Sequence, residues 1–319
     1  MNNAITDVVG IKVGHWTNLQ AATGCTVIIC EEGAVGGVDT RGSAPGTRET
    51  DLMHPVRLVE RAHAILLSGG SAFGLDAATG VMRYLEEHGI GFDVGVAKVP
   101  IVAGAVLFDL TVGSAKIRPD AAAGYAACQA ANTGAVAEGT VGVGTGATVG
   151  KLLGQPNATK TGLGTASIQI AGGTIVAALV AVNAFGDVVD PESGKILAGT
   201  RHPRTGEFIN TMKAMQGDLA GFTGAFTNTT IGVVATNARL NKEGANKIAQ
   251  MAHDGLAMAI RPVHTMWDGD TIFALATGKA EKESDVSIVG AAAADVMARA
   301  VVNAARKATA LAGIPASAG

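Results

Sequence analysis

Short β-branched runs punctuated by glycine alternate with longer helical stripes along this chain. Val8-Val9-Gly10-Ile11-Lys12-Val13-Gly14-His15 and Cys25-Thr26-Val27-Ile28-Ile29-Cys30 read as strands between turn signals. Ala64-Ile65-Leu66-Leu67 reads as a buried strand running into Ser68-Gly69-Gly70-Ser71-Ala72-Phe73-Gly74. A helix follows to about Glu87, with Leu75, Val81, Met82 and Leu85 as its apolar stripe. Pro119-Asp120 opens an Ala-rich helix ending near Asn132-Thr133-Gly134. Ala166-Ile168-Ile170 and Ile175-Ala177-Leu179 flank Gly172-Gly173 as a hairpin would. Residues 191–227 carry few periodic signals, and a connection that long inside a compact protein is usually functional or mobile. Thr229–Thr236 and Thr271–Ala276 read as strands, and Asn241 caps a helix to about Ile260. Asp285 opens a last helix to near Leu311, with Gly313 and Pro315 as stop signals. Strands and helices come in blocks, which predicts an α+β fold with helices covering antiparallel-rich sheets. No internal repeat or interdomain linker breaks residues 1–319, so a single domain is expected.

Composition narrows the classes. The chain has 319 residues, 48% hydrophobic and 16% charged, enough for a large core. Its 44 glycines are separated by Val, Ile, Ala and Leu runs, a pattern of close backbone packing and not of disorder. The net charge of −3 and the lack of a Lys/Arg cluster argue against a nucleic-acid partner. The N-terminus shows no basic and apolar leader, and no uninterrupted apolar stretch of about 20 residues predicts a membrane span. Cys25, Cys30 and Cys128 have no metal-ligand spacing and read as small buried side chains. A cytoplasmic protein is the expectation.

Several motifs carry candidate chemistry. Thr229 follows Asn228 at the head of a β-branched run, where β-branched residues also serve simply to start a strand. A threonine so placed can attack its own preceding carbonyl and free its α-amine. Gly142-Val143-Gly144-Thr145-Gly146-Ala147-Thr148-Val149-Gly150-Lys151-Leu152 fails as a phosphate-binding loop, because Thr145 stands at the first glycine position and Leu152 at the hydroxyl position. It does place Lys151 after an approachable backbone. Gly69, Gly70 and Ser71 match a nucleophile elbow only loosely, since Phe73 holds its last glycine position. Their amides are candidates for an oxyanion or substrate contact. In His264-Thr265-Met266-Trp267-Asp268-Gly269-Asp270, Asp268 and Asp270 share one side of an extended chain. A turn or a His/Asp/Asp metal site would use the same residues, but no second cluster completes the latter. Asn183 ends an apolar strand and carries a carboxamide suited to an oxyanion.

Taken together, Ile5–His15, the loop Asp39–Leu52, Leu67–Leu75, Thr227–Ile231 and Asp268–Thr271 resemble the DmpA-like family of self-processing N-terminal nucleophile hydrolases, peptidase family S58. The family includes L-aminopeptidase D-Ala-esterase/amidases, β-peptidyl aminopeptidases and the endo-type nylon-oligomer hydrolase. The resemblance implies an αββα sandwich, a homo-oligomer, often a tetramer, and cleavage after Asn228 into chains 1–228 and 229–319. It points to Lys151, Asn183, Thr229, Asp268 and Asp270 as functional positions. Thr229 replaces the serine of several members, which leans towards the nylon-oligomer branch. Phe108 stands where characterised members have a tyrosine, so a hydrogen-bond donor is lost or supplied elsewhere. The implied activity is hydrolysis of small peptides or amides, with no metal or organic cofactor required. Thr229 would act through its own α-amine, whose reference pKa is about 7.7–8.0. Lys151 would stay cationic, Asn183 would donate to the oxyanion, and Asp268 and Asp270 would orient the amine and hydroxyl. A non-catalytic scaffold homologue and an acyltransferase of related architecture are the alternatives.

Overall fold

The computed structural model describes residues 1–217 and 228–317. Nine strands form the main sheet: β1 (Lys12–Asn18), β2 (Thr23–Thr40), β3 (Thr47–Arg48), β4 (Arg61–Ser68), β5 (Val102–Val106), β6 (Leu163–Gln169), β7 (Ile175–Ala181), β8 (Ile231–Thr236) and β9 (Thr271–Ala276). Their order is β6-β7-β8-β9-β2-β4-β5-β3, with β1 also paired to β2. The helices are α1 (Ala77–Glu87), α2 (Ala121–Gln129), α3 (Thr211–Gln216), α4 (Lys242–Ala259) and α5 (Val286–Arg306).

Strand β2 explains how one sheet makes two layers. Its first half pairs with β1 and β4, and its second half with β9. The register shifts between Ile29 and Ala34, and Gly33 there takes φ +72°, a conformation that glycine adopts freely. The bulge bends β2 from one layer into the other. Ile28, Ile65 and Leu67 of one layer then meet Leu179, Val233 and Phe273 of the other in a shared central core. The outer face of β6–β9 is covered by α4 and α5. The outer face of β2 and β4 is covered by α1 and α2. The result is α+β, an αββα sandwich with three apolar seams.

Local chemistry agrees with these elements. Asn241 caps α4 by accepting from Gly244 N, and Asp285 caps α5 by accepting from Ser287 N and Ile288 N. The β6–β7 hairpin turns through Gly172 and Gly173, both at positive φ. Helix α5 is long and apolar enough to cross a membrane by composition, but 67% of that stretch is buried against the rest of the chain. It ends at Arg306, short of the expected Leu311. Parallel pairs β8–β9 and β4–β5 interrupt the antiparallel pattern, because α4 and α1 return the chain to the same end of the sheet. Residues 191–217 are less irregular than expected and hold three two- or three-residue strands and α3. The remainder of that predicted connection, residues 218–227, lies outside the described residues. Cys25, Cys30 and Cys128 are buried and unbridged.

Candidate active site

Three neighbouring chain segments converge at one end of the sheet. Asn228 bridges Asp268 in parallel, and the register continues into β8–β9 from Ile231 opposite Thr271. This places Gly269 beside the Asn228–Thr229 bond. On the other flank Thr229 N donates to Asn183 O at 2.8 Å, just beyond the end of β7. Lys151 arrives from a tight turn in which Gly150 N bonds Gly186 O and Lys151 N bonds Phe185 O. Gly150 sits at φ +70°, and a Cβ there would come within 2.0 Å of the Gly199 backbone. Only glycine lets that turn approach. Lys151, Asn183, Asn228, Thr229, Asp268 and Asp270 are thereby assembled, all buried.

The hydrogen bonds define what each group does. Thr229 Oγ1 donates to the carbonyl oxygen of Asn228. Asn183 Oδ1 accepts from Lys151 Nζ at 2.8 Å and from Thr148 N at 3.1 Å, while Asn183 Nδ2 donates to Phe108 O at 3.1 Å. Asp268 accepts from Phe185 N at 3.2 Å through one oxygen and from Thr265 N and Oγ1 at 3.0 and 2.5 Å through the other. Asp270 accepts from Thr230 N at 2.7 Å and from His264 N at 3.2 Å, with His264 Nδ1 2.8 Å from the same oxygen as His264 N. The two carboxylates therefore orient the backbone around Thr229, where the sequence reading has them facing an amine and a hydroxyl. His264 pairs with Asp270, and this pairing was not anticipated for that histidine.

Electrostatics follows burial. Desolvation pulls the Lys151 ammonium down to about 7, against the opposing pull of Asp268 and Asp109. Burial thus works against the cationic form that the resemblance implies for Lys151, while the two carboxylates favour it. Burial, with the Asp270 charge second, pushes Asp268 up to about 6.

A cavity of about 140 Å³ opens beside Thr229, walled by Ala44, Pro45, Gly46, Ser71, Ala72, Val106 and Phe108. The loop after β2 is pinned there because Arg41 N and Ala44 N donate to Asp270 O and Asp268 O. The suggested oxyanion role for the amides of Gly69, Gly70 and Ser71 is not supported. They donate to Gly24 O, Asp109 Oδ1 and Leu107 O respectively, so all three are engaged within the fold. Ser71 instead contributes to the cavity wall. The glycine-rich segment before Lys151 is likewise a buried turn, Gly142–Gly146, whose Gly144 carbonyl accepts from the buried Lys160 ammonium. Sequence reasoning missed Gly269 as a participant; the signal was a glycine between two aspartates that must bring its backbone against Thr229.

The layering is that of an N-terminal nucleophile hydrolase fold variant. A β-aminopeptidase from Burkholderia sp. superposes with a TM-score of 0.73 at 23% identity, covering 100% of this chain and 91% of that one. The L-aminopeptidase D-Ala-esterase/amidase of Ochrobactrum anthropi, described as a new variant of the Ntn hydrolase fold, gives a TM-score of 0.72 at 19% identity, covering 96% of this chain and 86% of that one. Residues 3–317 match peptidase family S58, and the chain belongs to that family. It is 48% identical over 342 residues to an uncharacterized aminopeptidase of Mycobacterium tuberculosis, covering 98% of this chain and 96% of the relative. It is 32% identical over 315 residues to the 6-aminohexanoate-oligomer endohydrolase of Kocuria sp., covering 94% of this chain and 85% of the relative. The protein is an aminopeptidase-like hydrolase of this family.

Proposed function

We propose that this chain is a self-processing amide hydrolase that cuts itself between Asn228 and Thr229 and then uses Thr229 as an N-terminal nucleophile. One observation carries the reading: the Thr229 hydroxyl lies against the carbonyl it would attack, in a buried site that opens on a cavity. Attack by Oγ1 on the Asn228 carbon forms a C–O bond. The C–N bond then breaks, and the departing nitrogen takes the hydroxyl proton. Water opens the resulting ester to the Asn228 carboxylate and restores the hydroxyl. Holding the reacting atoms in place replaces several kcal/mol of activation entropy.

The freed α-amine then serves as base for Oγ1 in turnover. It starts beside Asn183 O, which also lies 3.5 Å from Lys151 Nζ. In its charged form Lys151 stabilises negative charge, and in its neutral form it leaves the new amine room to accept a proton. Asp268 and Asp270 hold the strands that carry Thr229. The cavity suits a small acyl group of a peptide or amide, in keeping with the aminopeptidase and amide-oligomer hydrolase names of its relatives.

The test uses aminoacyl p-nitroanilides, β-peptides and 6-aminohexanoate oligomers as substrates. Thr229→Ala should abolish hydrolysis of all of them, and Thr229→Ser should retain it. Hydrolysis that persists in Thr229→Ala would discard the nucleophile assignment.

A further inference from the structure

The carbonyl of Asn228 is gripped by a second donor. Gly269 N donates to Asn228 O at 3.0 Å, alongside the Thr229 hydroxyl. The contact is fixed by the parallel bridge of Asn228 with Asp268. It also accounts for the glycine: a Cβ on residue 269 would lie 2.5 Å from Ala44 O and 2.8 Å from Thr229 Oγ1. A side chain there would displace the hydroxyl or the loop. The loop amides expected from sequence are committed elsewhere. The Gly69, Gly70 and Ser71 amides donate to Gly24 O, Asp109 Oδ1 and Leu107 O, and Asn183 Nδ2 turns one of its two N–H groups to Phe108 O. Phe108 itself offers no hydroxyl.

We propose that the Gly269 backbone amide is the oxyanion donor of this site, first to the Asn228 carbonyl during self-cleavage and then to the acyl carbonyl of a substrate. The inference rests on Thr229 being the nucleophile. As Oγ1 bonds to the carbonyl carbon, the π pair moves onto the oxygen that faces Gly269 N–H. When the C–N bond breaks, that pair returns to re-form the carbonyl, and the leaving nitrogen carries the proton that left Oγ1. A substrate carbonyl attacked by the same Oγ1 must occupy the place that Asn228 leaves, so the donor is used twice. A preorganised donor aimed at a developing oxyanion is worth about 10²–10³ in rate.

The direct test replaces Gly269 by glycolic acid in cell-free translation, which exchanges the N–H for an ester oxygen and adds no side chain. Wild-type near-UV circular dichroism with self-cleavage slowed about 100-fold is the expected result. Cleavage at the wild-type rate overturns the inference and leaves the Thr229 reading intact. A cut after Asn228 in a Thr229→Ala chain overturns the Thr229 reading instead. Should the ester chain not fold, processed wild type with nitrogen-labelled glycine answers the question in its methylboronic acid adduct. A tetrahedral boron resonance accompanied by a downfield move of the Gly269 amide proton supports the proposal; an unmoved proton overturns it.

Discussion

Thr229 is held from three directions, and the hold is made of backbone more than of side chains. Asn183 O takes its amide, Gly269 N donates to the Asn228 carbonyl before it, and Asp270 takes the amide of Thr230. Asp270 ties two segments together, because its second oxygen also fixes His264. Asp270→Asn keeps the shape but turns an amide donor towards groups that donate. The expected loss is about 1–3 kcal/mol of stability, with self-cleavage slowed, read by urea unfolding and by the time course of the two bands on denaturing gels. Wild-type processing in that variant would remove Asp270 from the account. At this scale the sequence revealed which residues meet: Lys151, Asn183, Thr229, Asp268 and Asp270 do share one site. It could not reveal which atoms they use. Whether Gly69, Gly70 and Ser71 amides are spare depends on carbonyls at Gly24 and Leu107 and a carboxylate at Asp109, remote in sequence.

At the scale of elements, helices were legible where caps and stripes are local, as Asn241 and Asp285 show. The full length of β2 was not. Gly33, Gly36 and Gly37 interrupt its β-branched pattern, and only the partners on both sides make it one strand of 18 residues. Strand β5 escaped notice because Val102-Ala103-Gly104-Ala105-Val106 is rich in small residues, and its identity comes from parallel pairing with β4. Small residues in the helices have a similar meaning. Gly80 of α1 faces the Ala121 carbonyl and Gly124 of α2 faces the Ala77 carbonyl, each closer than a Cβ could tolerate. Gly124→Ala gains helix propensity of about 1 kcal/mol yet forces α1 and α2 apart. The expected net result is a lower melting temperature, from overpacking that costs about 1–3 kcal/mol or more. A melting temperature raised by the substitution would contradict this packing.

For the whole molecule, the order of the sheet decides what a cut would do. Strands β8 and β9, which would belong to the second fragment, lie between β7 and β2 of the first. The two fragments should therefore co-elute in native buffer and separate only in denaturant, which size-exclusion chromatography checks. Global stability should also respond to pH through Lys160. Burial lowers its ammonium from 10.5 to about 7, while Nζ donates to the carbonyls of Gly144 and Thr161. Between those values the unfolded chain binds a proton that the folded chain does not, so stability rises with pH there and falls as pH drops towards the folded value. Lys151 acts in the same direction. In an uncut Thr229→Ala background, Lys160→Met should flatten the rise between about pH 7 and 9 by on the order of 1 kcal/mol per pH unit. Equal slopes with and without the substitution would mean that Lys160 is charged in the folded state.

The central claim is that Asn228–Thr229 is a bond this fold breaks by itself. Intact-mass measurement of the purified, folded protein after denaturation tests it most directly. The account predicts two polypeptides, one ending at Asn228 and one beginning at Thr229, and a single full-length mass for Thr229→Ala. A catalytically active wild-type protein that shows only the full-length mass would contradict it.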